Sequence, residues 1–225
     1  MFLRHLAALG AALFVIGAHA AGPAPAFEAG KNYFVIDPPV ATTSGDKIEV
    51  TEVFSYGCPA CNFAYPTIDK IKKSLPPNAV MTYVPASFNP NEDWPMFQRA
   101  YLTAVAMGVA DKSHDKMFDA VWKDKTLATM NDDGRSLKKD QPTIEDAAKW
   151  YAQFGVKPEE FVATANSFTI ATRMKQADAY IKAAGVDSTP TLVVAGKYRF
   201  TIHDAGGLDE AGQLVHYLIG LESKK

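Results

Sequence analysis

The chain has 225 residues, of which 48% are hydrophobic and 21% charged, and its formal net charge is −2. This composition is typical of a globular protein and excludes a collagen-like chain, a coiled-coil rod and a disordered tail. The near-neutral charge argues against nucleic-acid binding, which usually requires a strongly basic surface. Two cysteines, Cys58 and Cys61, are too few for a disulfide-stapled mini-protein or for a zinc site of four thiolates.

The first twenty residues have the three-part layout of a secretory signal peptide. Arg4 and His5 give a basic start, Leu6–Gly17 is apolar, and Ala18–Ala20 places small residues on either side of a larger one. The apolar run is too short to cross about 30 Å of hydrocarbon as a helix, and a buried N-terminal helix is the less favoured alternative. We therefore predict cleavage after Ala20 and export to a compartment where a thiol pair can exist as a disulfide.

Residues 21–45 are rich in Ala, Pro and Gly, and most of this segment is predicted to form an extended N-terminal arm. The following segment, 46–88, predicts a strand at Lys47–Ser55 and another at Ala79–Val84, because both are β-branched and aromatic. A helix that Pro66 kinks is predicted between them. Its apolar stripe consists of Ala64, Ile68, Ile71 and Leu75. A strand, a helix and a strand in this order favour a parallel strand pair.

Residues 89–185 predict a helical insertion, because no strand pattern interrupts them. The predicted helices cover Met96–Ala110, Ser113–Trp122, a segment capped by Thr143 and Asp146 that closes at Gly155, a segment that starts at Pro158, and a long segment between Ser167 and Gly185.

Residues 186–225 return to strands and end in a helix. Thr191–Ala195 and Tyr198–Ile202 predict a hairpin whose turn, Gly196-Lys197, has glycine first. A loop at 204–207 and a helix at Leu208–Leu221 complete the chain. This order of elements is typical of an α/β, thioredoxin-like fold with an inserted helical domain, in which 46–88 and 186–225 form the two halves.

The chemistry is predicted at Cys58-Pro59-Ala60-Cys61, where a strand ends and a helix begins. Free amides at a helix N-terminus stabilise negative charge, so the first sulfur of such a pair is favoured as a thiolate. A thiolate is the attacking species in disulfide exchange, and stabilising it makes the disulfide a stronger oxidant. We predict that Cys58 is the exposed, attacking sulfur and that the buried Cys61 resolves mixed disulfides.

Two alternatives for the cysteine pair are less favoured. A disulfide that closes a two-residue loop contributes little to stability, so a structural role alone is improbable. A metal site would recruit histidines, but His114, His203 and His216 are scattered without paired-ligand spacing. We therefore expect no metal and no cofactor, and we expect each histidine to be an ordinary surface or partly buried side chain.

Two further features support redox chemistry. Thr189-Pro190 directly precedes a strand, and a cis bond there would leave the Thr189 backbone free to bind an extended peptide, whereas an ordinary trans proline is the alternative. Glu52 interrupts an apolar strand, where a charge is costly unless it is useful. It is predicted either to relay the Cys61 proton or to be a carboxylate at an edge or layer boundary.

At these residues the chain resembles the DsbA family of bacterial periplasmic thiol–disulfide oxidoreductases. The matching pieces are the export signal, the segment Val53–Cys61, the helical insertion, Thr189-Pro190 and the hairpin segment Val194–Tyr198, and the resemblance spans Gly30–Lys225. The resemblance implies a donor of disulfides to reduced exported polypeptides. It also implies that a quinone-linked membrane partner of the DsbB type reoxidises this donor.

The chain departs from the family pattern at two positions. The best-known members carry His where this chain has Ala60, and a histidine there helps to stabilise the first thiolate, so we predict a higher Cys58 pKa and a weaker oxidant. Many members carry Val at the position of Thr189, which is more typical of thioredoxins and disulfide isomerases. An isomerase or reductase of the same fold therefore stays open, as does a non-catalytic peptide-binding module. The segment 21–46 is too short for the dimerisation domain of the usual periplasmic isomerase, so we expect a monomer.

Overall fold

The computed structural model describes residues 27–223, and the predicted signal peptide and its cleavage site lie outside them. The strands of this part of the chain are β1 (Phe34–Val35), β2 (Ile48–Phe54), β3 (Ala79–Pro85), β4 (Thr191–Val194) and β5 (Tyr198–Thr201). Its α-helices are α1 (Pro59–Ser74), α2 (Trp94–Ala106), α3 (Ala110–Phe118), α4 (Ile144–Tyr151), α5 (Pro158–Ala165), α6 (Phe168–Ala183), α7 (Ile202–Ala205) and α8 (Leu208–Glu222). Within residues 27–223, no helix has the length and hydropathy that a membrane span requires.

The five strands form one mixed sheet in the order β1-β5-β4-β2-β3. β2 and β3 are parallel, as predicted, and β2 pairs with β4 in antiparallel orientation. Helix α1 makes the crossover from β2 to β3, runs through Pro66, and packs with α8 against one face of the sheet. This packing buries the predicted stripe of α1 with the inner face of α8, namely Ala64, Ile68, Ile71, Ala211, Leu214 and Leu218. The α1 N-terminus is therefore held rigidly at the end of an interior strand.

Helices α2–α6 lie between β3 and β4 in the chain, as the predicted helical insertion requires. Thr143 caps α4 in a capping box with Asp146, Ser167 caps α6, and Gly155 ends the α4 segment with φ +90°. The second predicted helix differs in detail, because α3 ends at Phe118 and continues as one π-helical turn, Asp119–Lys123. Where one domain ends and the next begins stays a prediction.

The N-terminal arm is bound more closely than its composition suggests. Its residues 34–35 form β1, which pairs with β5, and the Ile36 and Val40 amides donate to the Lys197 and Gly196 carbonyls at 2.7 and 2.9 Å. This edge strand was not predicted from the sequence, because a two-residue pairing is too short to show a periodic pattern.

Two predictions for the last segment were wrong. Positive φ angles occur at Ala195 (+55°) and Gly196 (+66°), and the Lys197 amide closes the turn onto Val194 at 3.0 Å, so glycine stands second in the turn and not first. The predicted loop at 204–207 begins inside helix α7, because Thr201 and its partner in a capping box add a helical turn directly after β5.

Gly196 tests how strongly the arm and the hairpin depend on each other. A Cβ atom at this position would clash with the Val40 carbonyl oxygen, whereas a Cβ at Gly45, which has a similar φ of +62°, meets nothing within 4 Å. Gly45→Ala is therefore expected to cost about 1 kcal/mol for the left-handed backbone alone. Gly196→Ala is expected to cost about 3 kcal/mol, because the arm must also move. Urea unfolding of both variants measures the difference, and equal costs would show that the arm does not constrain the hairpin.

Candidate active site at the start of the first helix

Cys58 lies at the point where β2 gives way to α1. β2 ends at Phe54, the Cys58 amide donates to the Ser55 carbonyl at 3.1 Å, and Cys58 is the N-cap of α1. Pro59 occupies the first helical turn, where its missing N–H has no cost. The sequence folds this way because a strand-forming run is followed by a glycine-containing turn and a helix-starting proline.

The two sulfur atoms have different surroundings. The Cys58 sulfur accepts a hydrogen bond from the Cys61 amide at 3.4 Å and can donate to the Thr189 carbonyl at 3.4 Å. Cys61 is completely buried, as predicted, but Cys58 is only 5% exposed. The expectation of an exposed Cys58 was therefore wrong for the residue as a whole, because the loop that carries Thr189 lies against it.

The acidities of the two thiols diverge. The pKa of Cys58 is lowered to about 6, first because the Cys61 thiol hydrogen-bonds to its sulfur and further by the Thr189 side chain and the Cys61 and Ala60 amides, while burial opposes these effects. At this pKa about 90% of Cys58 is thiolate at pH 7. Burial raises the pKa of Cys61 well above its ordinary value, and the neighbouring sulfur adds to the rise. Only one thiol of the pair is ionised at neutral pH.

A groove opens beside the cysteine pair. The Thr189–Pro190 bond is cis, and both residues line a groove of about 510 Å³ that reaches Ala60 at the start of α1. One side chain that lines this groove, Phe63, was not predicted from the sequence, and it is 73% exposed. Phe63 lies outside the apolar stripe of α1, and an aromatic residue in such a position is the signal that could have identified it.

Glu52 is buried in the middle of the sheet. It lies on β2 between Tyr83 of β3 and Leu192 of β4, and it is 1% exposed. The alternative of an edge carboxylate was therefore wrong. Within residues 27–223 its Oε1 atom has no hydrogen-bond partner, and burial, followed by the charges of Cys58 and Asp115, raises the pKa of Glu52 to about 8. A carboxyl group with this pKa can hold or release a proton near neutral pH.

The buried His114 was not expected from the sequence, which predicted ordinary histidines. His114 is 8% exposed, its Nδ1 atom lies 2.9 Å from the Tyr56 hydroxyl, and burial together with Lys72 lowers its pKa to about 3. His203 lines the groove, and His216 bonds to the Ser74 hydroxyl at 3.0 Å. Among residues 27–223, no three potential metal-ligating side chains come together.

Comparison with known proteins assigns the family. A family model described as Thioredoxin matches residues 45–211. The thiol:disulfide interchange protein DsbA of Pseudomonas aeruginosa is 37% identical over 203 residues, which cover 90% of this chain and 89% of that protein. The DsbA of Azotobacter vinelandii is 34% identical over 214 residues, which cover 95% of this chain and 93% of that protein. The chain belongs to the DsbA family.

Solved structures of DsbA proteins share the fold. A crystal structure of Pseudomonas aeruginosa DsbA matches with a TM-score of 0.75 at 37% identity, covering 88% of this chain and 97% of that one. The DsbA of Xylella fastidiosa matches with a TM-score of 0.76 at 30% identity, covering 90% of this chain and 100% of that one. The predicted α/β, thioredoxin-like fold and thiol:disulfide oxidoreductase activity are confirmed.

The acidity of Cys58 can be measured by alkylation. Iodoacetamide should modify the reduced, folded protein at one site, Cys58, with a rate that is half-maximal near pH 6, because the thiolate is the reacting species. The unfolded protein is the control, and there both thiols should titrate at about 8.5. If both thiols of the folded protein reacted with the same pH dependence as in the unfolded protein, the low pKa assigned to Cys58 would be wrong.

The raised pKa of Glu52 predicts a pH-dependent effect of Glu52→Gln. When the pKa of a carboxyl group is higher in the folded than in the unfolded state, the free energy of unfolding falls as pH rises between the two pKa values. For Glu52 this range is from 4.5 to about 8. The variant should therefore gain about 3.5 kcal/mol over the parent between pH 5 and pH 8. Turnover should also slow by about tenfold to a hundredfold, because proton transfer is lost.

The matched control is Glu49→Gln on the same strand. Glu49 is also buried, but the Thr43 amide and hydroxyl donate to its Oε1 atom. Its replacement should not reproduce the pH-dependent gain or the slower turnover. If the difference in the free energy of unfolding between Glu52→Gln and the parent did not change with pH, the basis for a proton-relay role would be lost.

Proposed function

We propose that this protein oxidises reduced exported polypeptides by transferring to them the disulfide between Cys58 and Cys61. The observation that carries this proposal is the low-pKa Cys58 sulfur, which lies against Thr189 at the side of an open groove and is paired with a buried thiol whose pKa is raised. A structural disulfide needs neither the ionised sulfur nor the groove.

The transfer begins with the pair oxidised. A substrate thiolate attacks Cys58, the Cys58–Cys61 bond breaks, and Cys61 leaves with the electron pair. Because the Cys61 pKa is raised by burial, its sulfur takes up a proton. Glu52, whose charge acts on Cys61, holds a proton below about pH 8 and is proposed as the donor. The product is a mixed disulfide between the substrate and Cys58.

The second step releases the oxidised substrate. Another thiolate of the substrate attacks the substrate sulfur of the mixed disulfide, and Cys58 leaves as a thiolate. The groups that hold the Cys58 pKa near 6 stabilise this leaving group, so the release favours oxidised substrate and reduced enzyme. Two electrons thus pass from two substrate thiols to the Cys58–Cys61 pair.

The groove supplies the substrate-binding surface. The Thr189 carbonyl lies 3.4 Å from the Cys58 sulfur, so an extended peptide that follows the Thr189 backbone brings its own sulfur to Cys58. Phe63 at the rim offers an apolar contact that does not depend on a particular sequence. This geometry suits unfolded substrates of many sequences.

Each turnover leaves the pair reduced, so the reaction requires an oxidant. We propose a DsbB-type, quinone-linked membrane protein as the reoxidant and the periplasm as the compartment, with residues 1–20 removed after Ala20. The names of the relatives and the three-part layout of the first twenty residues support this assignment. We propose that the protein acts as a monomer.

Isomerisation is the second candidate activity. Ala60 supplies no cationic side chain to the Cys58 thiolate, and Thr189 is of the isomerase type, so a weaker oxidant that also rearranges disulfides fits these two positions. A balance toward oxidation follows from the Cys58 pKa of about 6.

Cysteine variants test the assigned roles. With a reduced, unfolded protein as substrate, Cys58→Ser should lose oxidation completely, and Cys61→Ser should accumulate mixed disulfides that survive non-reducing electrophoresis. The double variant keeps the groove without thiols and is the control for a peptide-binding module. Full oxidation by either single variant would contradict the roles, and unchanged suppression of substrate aggregation by the double variant, with no oxidation by the parent, would establish the binding module instead.

A further inference from the structure

The turn that leads to Cys58 is held by side chains from the helical insertion. Trp94, His114 and Trp122 come from α2, α3 and the π-helical turn that follows, and they contact the two residues before Cys58. These contacts join segments more than 30 residues apart in the chain. Neither the sulfur chemistry nor the groove accounts for them.

The peptide group between Tyr56 and Gly57 is fixed at both ends. The Trp122 indole Nε1 donates to the Tyr56 carbonyl at 2.8 Å, and the Gly57 amide donates to the Ser55 hydroxyl at 3.2 Å. A peptide plane with both polar atoms bonded cannot rotate without losing one of them. The Trp122 bond is the one that the helical insertion supplies.

The Tyr56 side chain is fixed as well. Its ring is 1% exposed, and its hydroxyl lies 2.9 Å from the His114 Nδ1 atom. Because burial keeps His114 uncharged and the Tyr56 hydroxyl protonated, this is a neutral hydrogen bond. Trp94 closes the remaining side, since a Cβ atom on Gly57 would lie 2.7 Å from the Trp94 Nε1 atom.

We propose that Trp122 is a positioning residue for thiol–disulfide exchange, which sets the oxidising strength of the Cys58–Cys61 pair by fixing the Tyr56 carbonyl. Two effects act in the same direction. A bonded carbonyl carries less uncompensated negative charge in the peptide group two residues before Cys58, and a fixed turn keeps the Cys61 amide aligned on the Cys58 sulfur, to which it donates at 3.4 Å. The inference rests on the proposed function, in which Cys58 is the thiolate that leaves.

The test is Trp122→Phe, which keeps an aromatic ring and removes the N–H donor. The acid dissociation constant of the Cys58 thiol should fall by about threefold to tenfold. The pH dependence of thiolate absorbance at 240 nm measures this constant. The equilibrium constant for oxidation of glutathione by the disulfide should fall by a similar factor. Trp150→Phe is the matched control, because Trp150 is a half-buried tryptophan of the helical insertion that packs on Tyr151 and Phe154. It should leave both quantities unchanged.

Unfolding of the oxidised and the reduced protein separates positioning from general stability. Trp122→Phe should destabilise the reduced form more than the oxidised form, because only the reduced form contains the thiolate. Equal destabilisation of both forms, with unchanged Cys58 acidity, would overturn the proposal and leave Trp122 a structural residue. Failure of the proposed function looks different, since the parent protein itself would then lack an acidic thiol.

Discussion

The proposed disulfide exchange depends on the hydrogen bonding of one sulfur atom. Cys58 caps helix α1, and its sulfur faces the Cys61 thiol and amide and the Thr189 loop. The hydrogen bonds from the Cys61 thiol and from the Cys61 and Ala60 amides favour the thiolate, while burial of the residue opposes it. The balance leaves a sulfur that is ionised at neutral pH beside one that is not, and this difference gives exchange its direction.

The sheet and the helical insertion hold that sulfur in a fixed position. β2 lies between β3 and β4, so the strand that ends before Cys58 cannot shift without breaking two sets of pairings. Glu52 lies in the same strand and is buried, and its Oε1 atom has no partner in the part of the chain that the structure describes. This arrangement lowers stability, which a purely structural position would not require. The helical insertion adds the third constraint, through the contact of Trp122 with the Tyr56 carbonyl.

The parts of the site that a local sequence pattern encodes were predictable from the sequence. The cysteine pair follows a strand and starts a helix, and the capping pattern at Thr143 marked a helix start correctly, because each signal lies within a few residues of the chain. Glu52 was recognised because a charge in an apolar strand is visible without a structure. Its burial and its lack of a partner were not, since they depend on β3 and β4 on either side.

The features that were missed depend on contacts between distant segments. His114 and Trp122 lie 58 and 66 residues from Tyr56, the residue that they hold, and no local signal connects them. The pairing of β1 with β5 is a two-residue contact across most of the chain. A turn type is local, but Ala195 adopts a positive φ that its residue type disfavours, so the glycine rule placed the turn one residue too late.

The most direct test of the central claim is the pH dependence of the reduction potential, measured in glutathione buffers from pH 4 to pH 9. If Cys58 is ionised above about pH 6 and Cys61 is not, reduction takes up two protons below that pH and one above it. The potential should then fall by about 59 mV per pH unit below the break and about 30 mV above it. A single slope of about 59 mV that continues to pH 8 would mean that both thiols stay protonated, and the account of a stabilised thiolate would be wrong.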